Sequence, residues 1–261
     1  MESLPVADYF DEDAEMLPVR VRPLPAGRMD IHRDGAPTGI HVPVIAYVIH
    51  TGAGMLLVDC GLSSRWRDAP LGADGGEEVE PGVRYVPRLE GPGVAERLRE
   101  EGLVVSRLVC THLHLDHAGG AAEVALPVEA SREEIATAPR QAGSLLDGVE
   151  TREIVLQPRP LGPFPRSLEL APGVIAVDTA GHTPGSISVF VCLGGAWGLI
   201  CGDAVYPRLD EPDSPAFLGM LRVRRMLQDF PATAILAGHD PAVLRAAGDG
   251  WLGTPLEQPP G

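Results

Sequence analysis

Apolar residues along the chain fall in short runs separated by Gly, Pro and charged clusters, a pattern that predicts many short strands rather than a few long helices. Residues 44–49 (VIAYVI) and 55–59 (MLLVD) are two such runs, and the intervening "HTGAG" predicts a hairpin turn between them. Residues 61–93 are rich in Gly, Pro and charge without a period, which predicts a long loop. In "GVAERLREEGL" Val94 and Leu98 recur at helical spacing, and Gly102 supplies a stop. A strand in "VSRLVC" follows, then a strand in "LPVEAS" whose serine caps a helix starting at "REEIATA". Residues 139–166 are Pro-, Gly- and Arg-rich, with no readable pattern, and are suited to covering a pocket. Further strands are predicted at 174–178, 187–193 and 199–201, an amphipathic helix at about 217–230, and a last apolar run in "AILAGHD". The tail "GWLGTPLEQPPG" reads as frayed. No short repeat is visible, and pattern alone supports mixed α/β; the order of strands and helices fits a four-layer αββα sandwich.

Composition narrows the class. With 261 residues, 44% of them hydrophobic, the chain can bury a sizeable core, and one domain spanning 1–261 with two similar halves is the expected organisation. No run approaches the ~18 apolar residues of a membrane span, and the start "MESLPVADYFDEDAEM" is acidic, so a soluble cytoplasmic protein without a secretory signal is expected. The 21 basic and 36 acidic residues give a net charge of −15, which argues against nucleic acid as a partner. Cys60, Cys110, Cys192 and Cys201 lack C-x-x-C spacing, and three lie in apolar runs, so reduced core thiols are expected.

Candidate chemistry concentrates in "CTHLHLDHAGG", residues 110–120, which holds three of the chain's eight histidines. Placed on a strand, His112 and His114 would project to one face while Leu113 turns into the core, with Asp116 and His117 at the turn beyond. A lone H-x-H arises readily by chance, and a single histidine at a strand end is more often a hydrogen-bonded core or surface residue. Four ligand-type residues in H-x-H-x-D-H have no packing rationale, and imidazole with carboxylate suits zinc and other borderline divalent ions. Three more candidates follow apolar runs downstream: His182 in "DTAGHTPG", Asp203 in "LICGDAVY" and His239 in "AILAGHD". A structural zinc needs only four closed ligands, so five histidines and two aspartates point instead to two metals sharing a carboxylate.

These motifs resemble those of the metallo-β-lactamase-fold hydrolases over nearly the whole chain. The resemblance implies the αββα fold, with His112, His114 and His182 on a first metal, Asp116, His117 and His239 on a second, and Asp203 bridging. Within that family "LPAGRMDIH" and "VPVIAYVIHTGAGMLLVDCG" are most similar to the N-acyl-homoserine lactonases, as is Tyr206 three residues beyond Asp203. Taken alone, residues 24–32 read as a first strand and turn, and Tyr206 as a packing residue. The resemblance adds a catalytic role for Tyr206, while His32, His41 and His50 receive none. Two departures stand out: Ser186 replaces the second histidine of "PGHTPGH", and residues 131–166 match the lactonases poorly, which leaves acyl-chain preference open.

The implied activity is that of a quorum-quenching lactonase, in which two divalent ions, zinc favoured over iron because His114 replaces the glutamate of the flavodiiron branch, share an attacking hydroxide. Tyr206 would stabilise the oxyanion and Asp116 would carry a proton to the leaving ring oxygen. A small lactone or ester is the expected partner, with neither nucleic acid nor membrane, and a homodimer is an assembly such lactonases adopt. The alternatives are a thioester or other small-ester hydrolase resembling glyoxalase II, and a catalytically idle metal-binding protein of the same fold.

Overall fold

The computed structural model describes residues 18–34, 39–67, 77–80, 82–137, 146–194, 196–205, 217–229, 233–248 and 250–253. Five strands come first: β1 (Arg20–Arg33), β2 (Ile40–Thr51), β3 (Gly54–Val58), β4 (Glu77–Glu80) and β5 (Val83–Arg88). There follow α1 (Val94–Glu100), β6 (Val105–Val109), α2 (Leu115–Ala118), α3 (Ala121–Val124), β7 (Val128–Ser131), α4 (Arg132–Thr137) and β8 (Thr151–Ile154). The last third holds β9 (Ser167–Ala171), β10 (Val174–Asp178), β11 (Ile187–Cys192), β12 (Trp197–Gly202), α5 (Phe217–Asp229), β13 (Thr233–Ala237) and α6 (Pro241–Ala247).

The strands make an eight-stranded sheet in the order β4-β5-β1-β2-β3-β6-β7-β8 and a five-stranded sheet in the order β13-β12-β11-β10-β9. Strand alternation assigns their faces. In β2, Ile45, Tyr47 and Ile49 meet Val174, Val189, Val191 and Ile200 of the smaller sheet, forming the core between the sheets. Val44, Ala46 and Val48 point the other way, into a second core with Val94 and Leu98 of α1. On the outer face of the smaller sheet, Ile175, Val177, Phe190 and Leu199 pack on Val223 and Met226 of α5. Helix, sheet, sheet, helix is the four-layer αββα order expected. Each fully buried Val, Leu or Ile in these cores contributes roughly 1.5–3 kcal/mol.

Several expectations are met. Thr51 pairs with Gly54 across the predicted hairpin turn. The Ser131 hydroxyl accepts the Glu134 N–H at 3.0 Å, as a helix cap should. All four cysteines are buried and free. Apart from these expectations, among the described residues no helix is long and apolar enough to cross a membrane.

Three others are corrected. The span 61–93 is no long loop, since it contains a 3-10 turn, Ser64–Trp66, and the strands β4 and β5. Pro87 hides β5, being a residue that normally argues against a strand inside a sheet. Here Pro87 pairs with Met29 of β1, while among the described residues β4 pairs with Val83 to Tyr85 of β5. The tail is anchored at its start: Leu252 exchanges backbone hydrogen bonds of 2.9 and 2.7 Å with Val21, and Arg20 lies over the Trp251 ring. Its apolar Trp251-Leu252 pair supplies the anchor that Gly- and Pro-rich flanks concealed. Finally, His112 and His114 lie beyond the end of β6 rather than on it.

Candidate dinuclear metal centre

The site is built from loops that follow the carboxyl ends of β3, β6, β10, β12 and β13. Irregular backbone at strand ends lets side chains converge while the sheets hold the loops rigid. After β6 the chain runs through Thr111 and the two histidines into the short α2, which carries Asp116 and His117. Because His114 keeps an extended backbone, with φ −73° and ψ 161°, His112 and His114 still face the same way and Leu113 is buried in the core. The predicted side-chain alternation therefore survives without a strand.

All seven predicted His and Asp residues come together. His114 Nδ1 lies 3.0 Å from His112 Nε2 and 2.9 Å from His182 Nε2, forming one triad. His239 Nε2 and His117 Nε2 lie 3.3 and 3.8 Å from Asp116 Oδ2, forming another. Asp203 sits between them. Its Oδ2 is 3.4 Å from His182 Nε2 and 3.9 Å from His112 Nε2, while its Oδ1 is 3.1 Å from His117 Nε2 and 3.3 Å from His239 Nε2. Gly202 lets this aspartate turn inward: its φ is +50°, and a β-carbon there would lie 2.6 Å from the Thr111 hydroxyl.

A further shell fixes the rings. Asp59 Oδ2 accepts His117 Nδ1–H at 2.8 Å, and Asp59 Oδ1 accepts the Thr111 N–H at 2.7 Å. The Thr111 hydroxyl donates to Asp59 and lies 3.2 Å from His112 Nδ1, from which it can accept. Pro43 O accepts His239 Nδ1–H at 2.7 Å. In each case the outer nitrogen carries a proton, so Nε2 is the atom that faces inward and offers its lone pair once deprotonated, which is the arrangement metal-binding histidines need. Asp59 adopts φ 59°, a left-handed conformation uncommon outside glycine and in keeping with a functional position.

Charge distinguishes the triads. Burial pushes His112 well below the usual histidine range, and lowers His114 and His182 as well. Burial alone would lower His117 too, but Asp203, Asp59 and Asp116 outweigh it and raise it well above. His239 is likewise raised, to about 10, because Asp203 and Asp116 overcome its burial. Burial would raise Asp116, yet His117 and His239 bring it down to about 2. Asp203 is held well below the carboxylate range by His239 and His117 in spite of its burial.

The donor set fits a metal. His117 Nε2 is buried and, although 3.1 Å from Asp203 Oδ1, is misaligned for a hydrogen bond. A buried nitrogen in that state is costly unless something between these groups satisfies it. His114 Nδ1, at 3.0 Å from His112 Nε2 and 2.9 Å from His182 Nε2, gathers with them a set of nitrogens that could hold a metal ion.

Comparison with known proteins agrees. The model of the Metallo-beta-lactamase superfamily matches residues 40–239. The chain belongs to that superfamily. As a superfamily member it is 26% identical over 212 residues to an N-acyl homoserine lactonase of Bacillus thuringiensis, covering 75% of this chain and 80% of that one. It is 27% identical over 161 residues to another from a Bacillus species, covering 58% and 59%. A solved N-acyl homoserine lactone hydrolase, with the product N-hexanoyl-L-homoserine bound at its catalytic metal centre, matches with a TM-score of 0.69 at 22% identity over 88% of this chain and 96% of that one. A quorum-quenching N-acyl homoserine lactone lactonase matches with a TM-score of 0.69 at 20% identity over 92% of this chain and all of that one, at 100%. Both structures share the fold. Superfamily and relatives together indicate a metal-dependent hydrolase family, lactonase-like in sequence.

Sequence reasoning missed Asp59 and Glu134. Asp59 in "LLVDCG" follows an apolar strand as Asp203 does, and that rule would have found it. Tyr206 lies outside the described residues. Of the histidines without a role, His41 pairs with Asp30 at 2.7 Å and His50 packs on Trp251, both outside the cluster.

Proposed function

We propose that the protein opens the ester ring of a lactone, an N-acyl-homoserine lactone or a related small lactone, in a quorum-quenching role. The observation that supports this most is the pair of triads about Asp203, in a chain similar to such lactonases over three quarters of its length. His112, His114 and His182 would hold one divalent ion, and Asp116, His117 and His239 a second, with Asp203 shared between them. A donor set of imidazoles and carboxylates without thiolate suits zinc. Such ions, when bound, supply Lewis-acid activation of water and of the ester carbonyl.

The remaining steps belong to the chain. Asp59 and Pro43 O hold His117 and His239 in one tautomer, so neither ring can turn its proton toward the reaction. Asp116, anionic beside His117 and His239, takes up the proton released as water adds to the carbonyl. It delivers that proton to the ring oxygen as the C–O bond breaks, giving the ring-opened hydroxy acid. Tyr206 is assigned the hydroxyl that donates to the developing oxyanion.

The test is hydrolysis of a panel of acyl-homoserine lactones beside a generic thioester and a simple aryl ester, using protein of known metal content. Preferential lactone opening, abolished by chelation and restored by zinc, is the expected result. Thioester or aryl-ester cleavage without lactone opening would withdraw the lactone assignment. Full activity in metal-stripped protein would refute metal-dependent hydrolysis.

A further inference from the structure

The first triad is split between two loops, with His112 and His114 after β6 and His182 after β10. Their nitrogens must nevertheless meet within a few tenths of an ångström. One buried side chain joins the two loops. Glu134, only 1% exposed in the first turn of α4, accepts the Leu113 N–H at 2.9 Å through Oε1. Through Oε2 it accepts the Thr183 hydroxyl at 2.6 Å. Leu113 stands between the two histidines of the first loop, and Thr183 directly follows the histidine of the second.

The strut is itself braced. The Ser131 hydroxyl caps the Glu134 N–H at 3.0 Å and donates to Gly185 O at 2.6 Å, tying α4 to the His182 loop a second time. Gly185 packs so closely on the Glu134 backbone that a β-carbon there would collide with it. Thr183 is also held by Ser186, whose hydroxyl lies 2.6 Å from that of Thr183 and accepts the Thr183 N–H at 3.0 Å. Ser186, which departs from the histidine common in the family motif, thus completes this network.

The geometry points to Glu134 as the positioning residue that sets the spacing of the His112–His114 loop against the His182 loop, and so the affinity of the first metal site alone. No hydrogen bond described for Glu134 reaches Asp116, His117 or His239. This rests on the reading of His112, His114 and His182 as one metal site.

The test is metal content and cobalt absorption of the purified full chain, wild type beside Glu134→Ala and Glu134→Gln, titrated with Co²⁺ and with Zn²⁺. Wild type should hold two ions. Glu134→Ala should lose about 10- to 100-fold in affinity at one site and keep the other, the range seen when outer partners of metal ligands are removed. Glu134→Gln should recover much of that loss, because an amide oxygen still accepts from Leu113. Should Glu134→Ala fail to fold, Thr183→Val removes a single bond of the strut and should weaken the same site by a smaller factor. Two ions bound at wild-type affinity in the Ala and Val variants, or equal weakening of both sites, would overturn the positioning role. Fewer than two ions in wild type would overturn the two-site reading beneath it.

Discussion

The two triads differ in how they are prepared. His112, His114 and His182 are pushed toward neutrality by burial and by one another, and their spacing depends on loops strapped together by Glu134. Asp116, His117 and His239 form a charged group in which the carboxylates favour protonated rings, and their orientation depends on Asp59 and Pro43 O. A cation entering the first triad meets lone pairs already available. In the second it must displace protons. The lesson is that ligands of similar type can be readied by opposite means, one triad by spacing and the other by charge.

The most severe way to break the comparison is to remove the group common to both triads. Asp203→Ala should leave neither site able to hold its ion and reduce lactone turnover to background, as read by metal content and rate together. Next, Tyr206→Phe should leave both metal contents unchanged and lower the rate by roughly 10²-fold or less, as for one oxyanion donor; an unchanged rate would remove Tyr206 from the mechanism. Asp59→Asn, which retains tolerance for the left-handed backbone, should weaken the second site, held directly through His117, about 10-fold, and the first, reached only through Thr111 and His112, by a smaller factor. Equal weakening of both sites would erase the distinction between them.

Acidity gives the smallest and most continuous handle. His239, raised to about 10 in the fold, stabilises the metal-stripped chain fully below the unfolded value of about 6.5, and this contribution is lost as pH rises through about 10. Asp116, lowered to about 2, contributes above about 4 and loses that contribution as pH falls through about 2. His112, His114 and His182, lowered in the fold, cost stability as the unfolded chain takes up protons below about 6.5, so stripped protein should melt highest near that pH and lose Tm on either side. Bound metal replaces the protons of the second triad, so the gap in Tm between zinc-loaded and stripped protein should widen from pH 6.5 toward 10. A gap that narrows over that range would contradict the charged state assigned to the second triad.

What the sequence disclosed follows from distance along the chain. His112, His114, Asp116 and His117 announce themselves because their spacing is local, and His182, Asp203 and His239 because each follows an apolar run and a glycine. Asp59 follows an apolar run as Asp203 does and is legible by the same rule, whereas Glu134 is a single carboxylate whose partner Thr183 lies 49 residues away, so no window of sequence marks it. The cores of β2, β10 and β11 were visible in alternating or continuous apolar runs, whereas β5 was masked by its proline, Pro87. Local rules find what touches its sequence neighbours, and packing decides the rest.

His239 belongs to the loop after β13 of the smaller sheet, yet its ring is oriented by Pro43 in the larger one, and Ile45 N and the Tyr47 hydroxyl reach Gly238 O and Ala237 O at 3.0 and 2.7 Å. One triad is thus a gauge of how the two sheets lie against each other. A shear of a fraction of an ångström, from a cavity cut at Val189 or from hydrostatic compression of the layer between the sheets, would register as a change in grip on an ion at the rim of that layer.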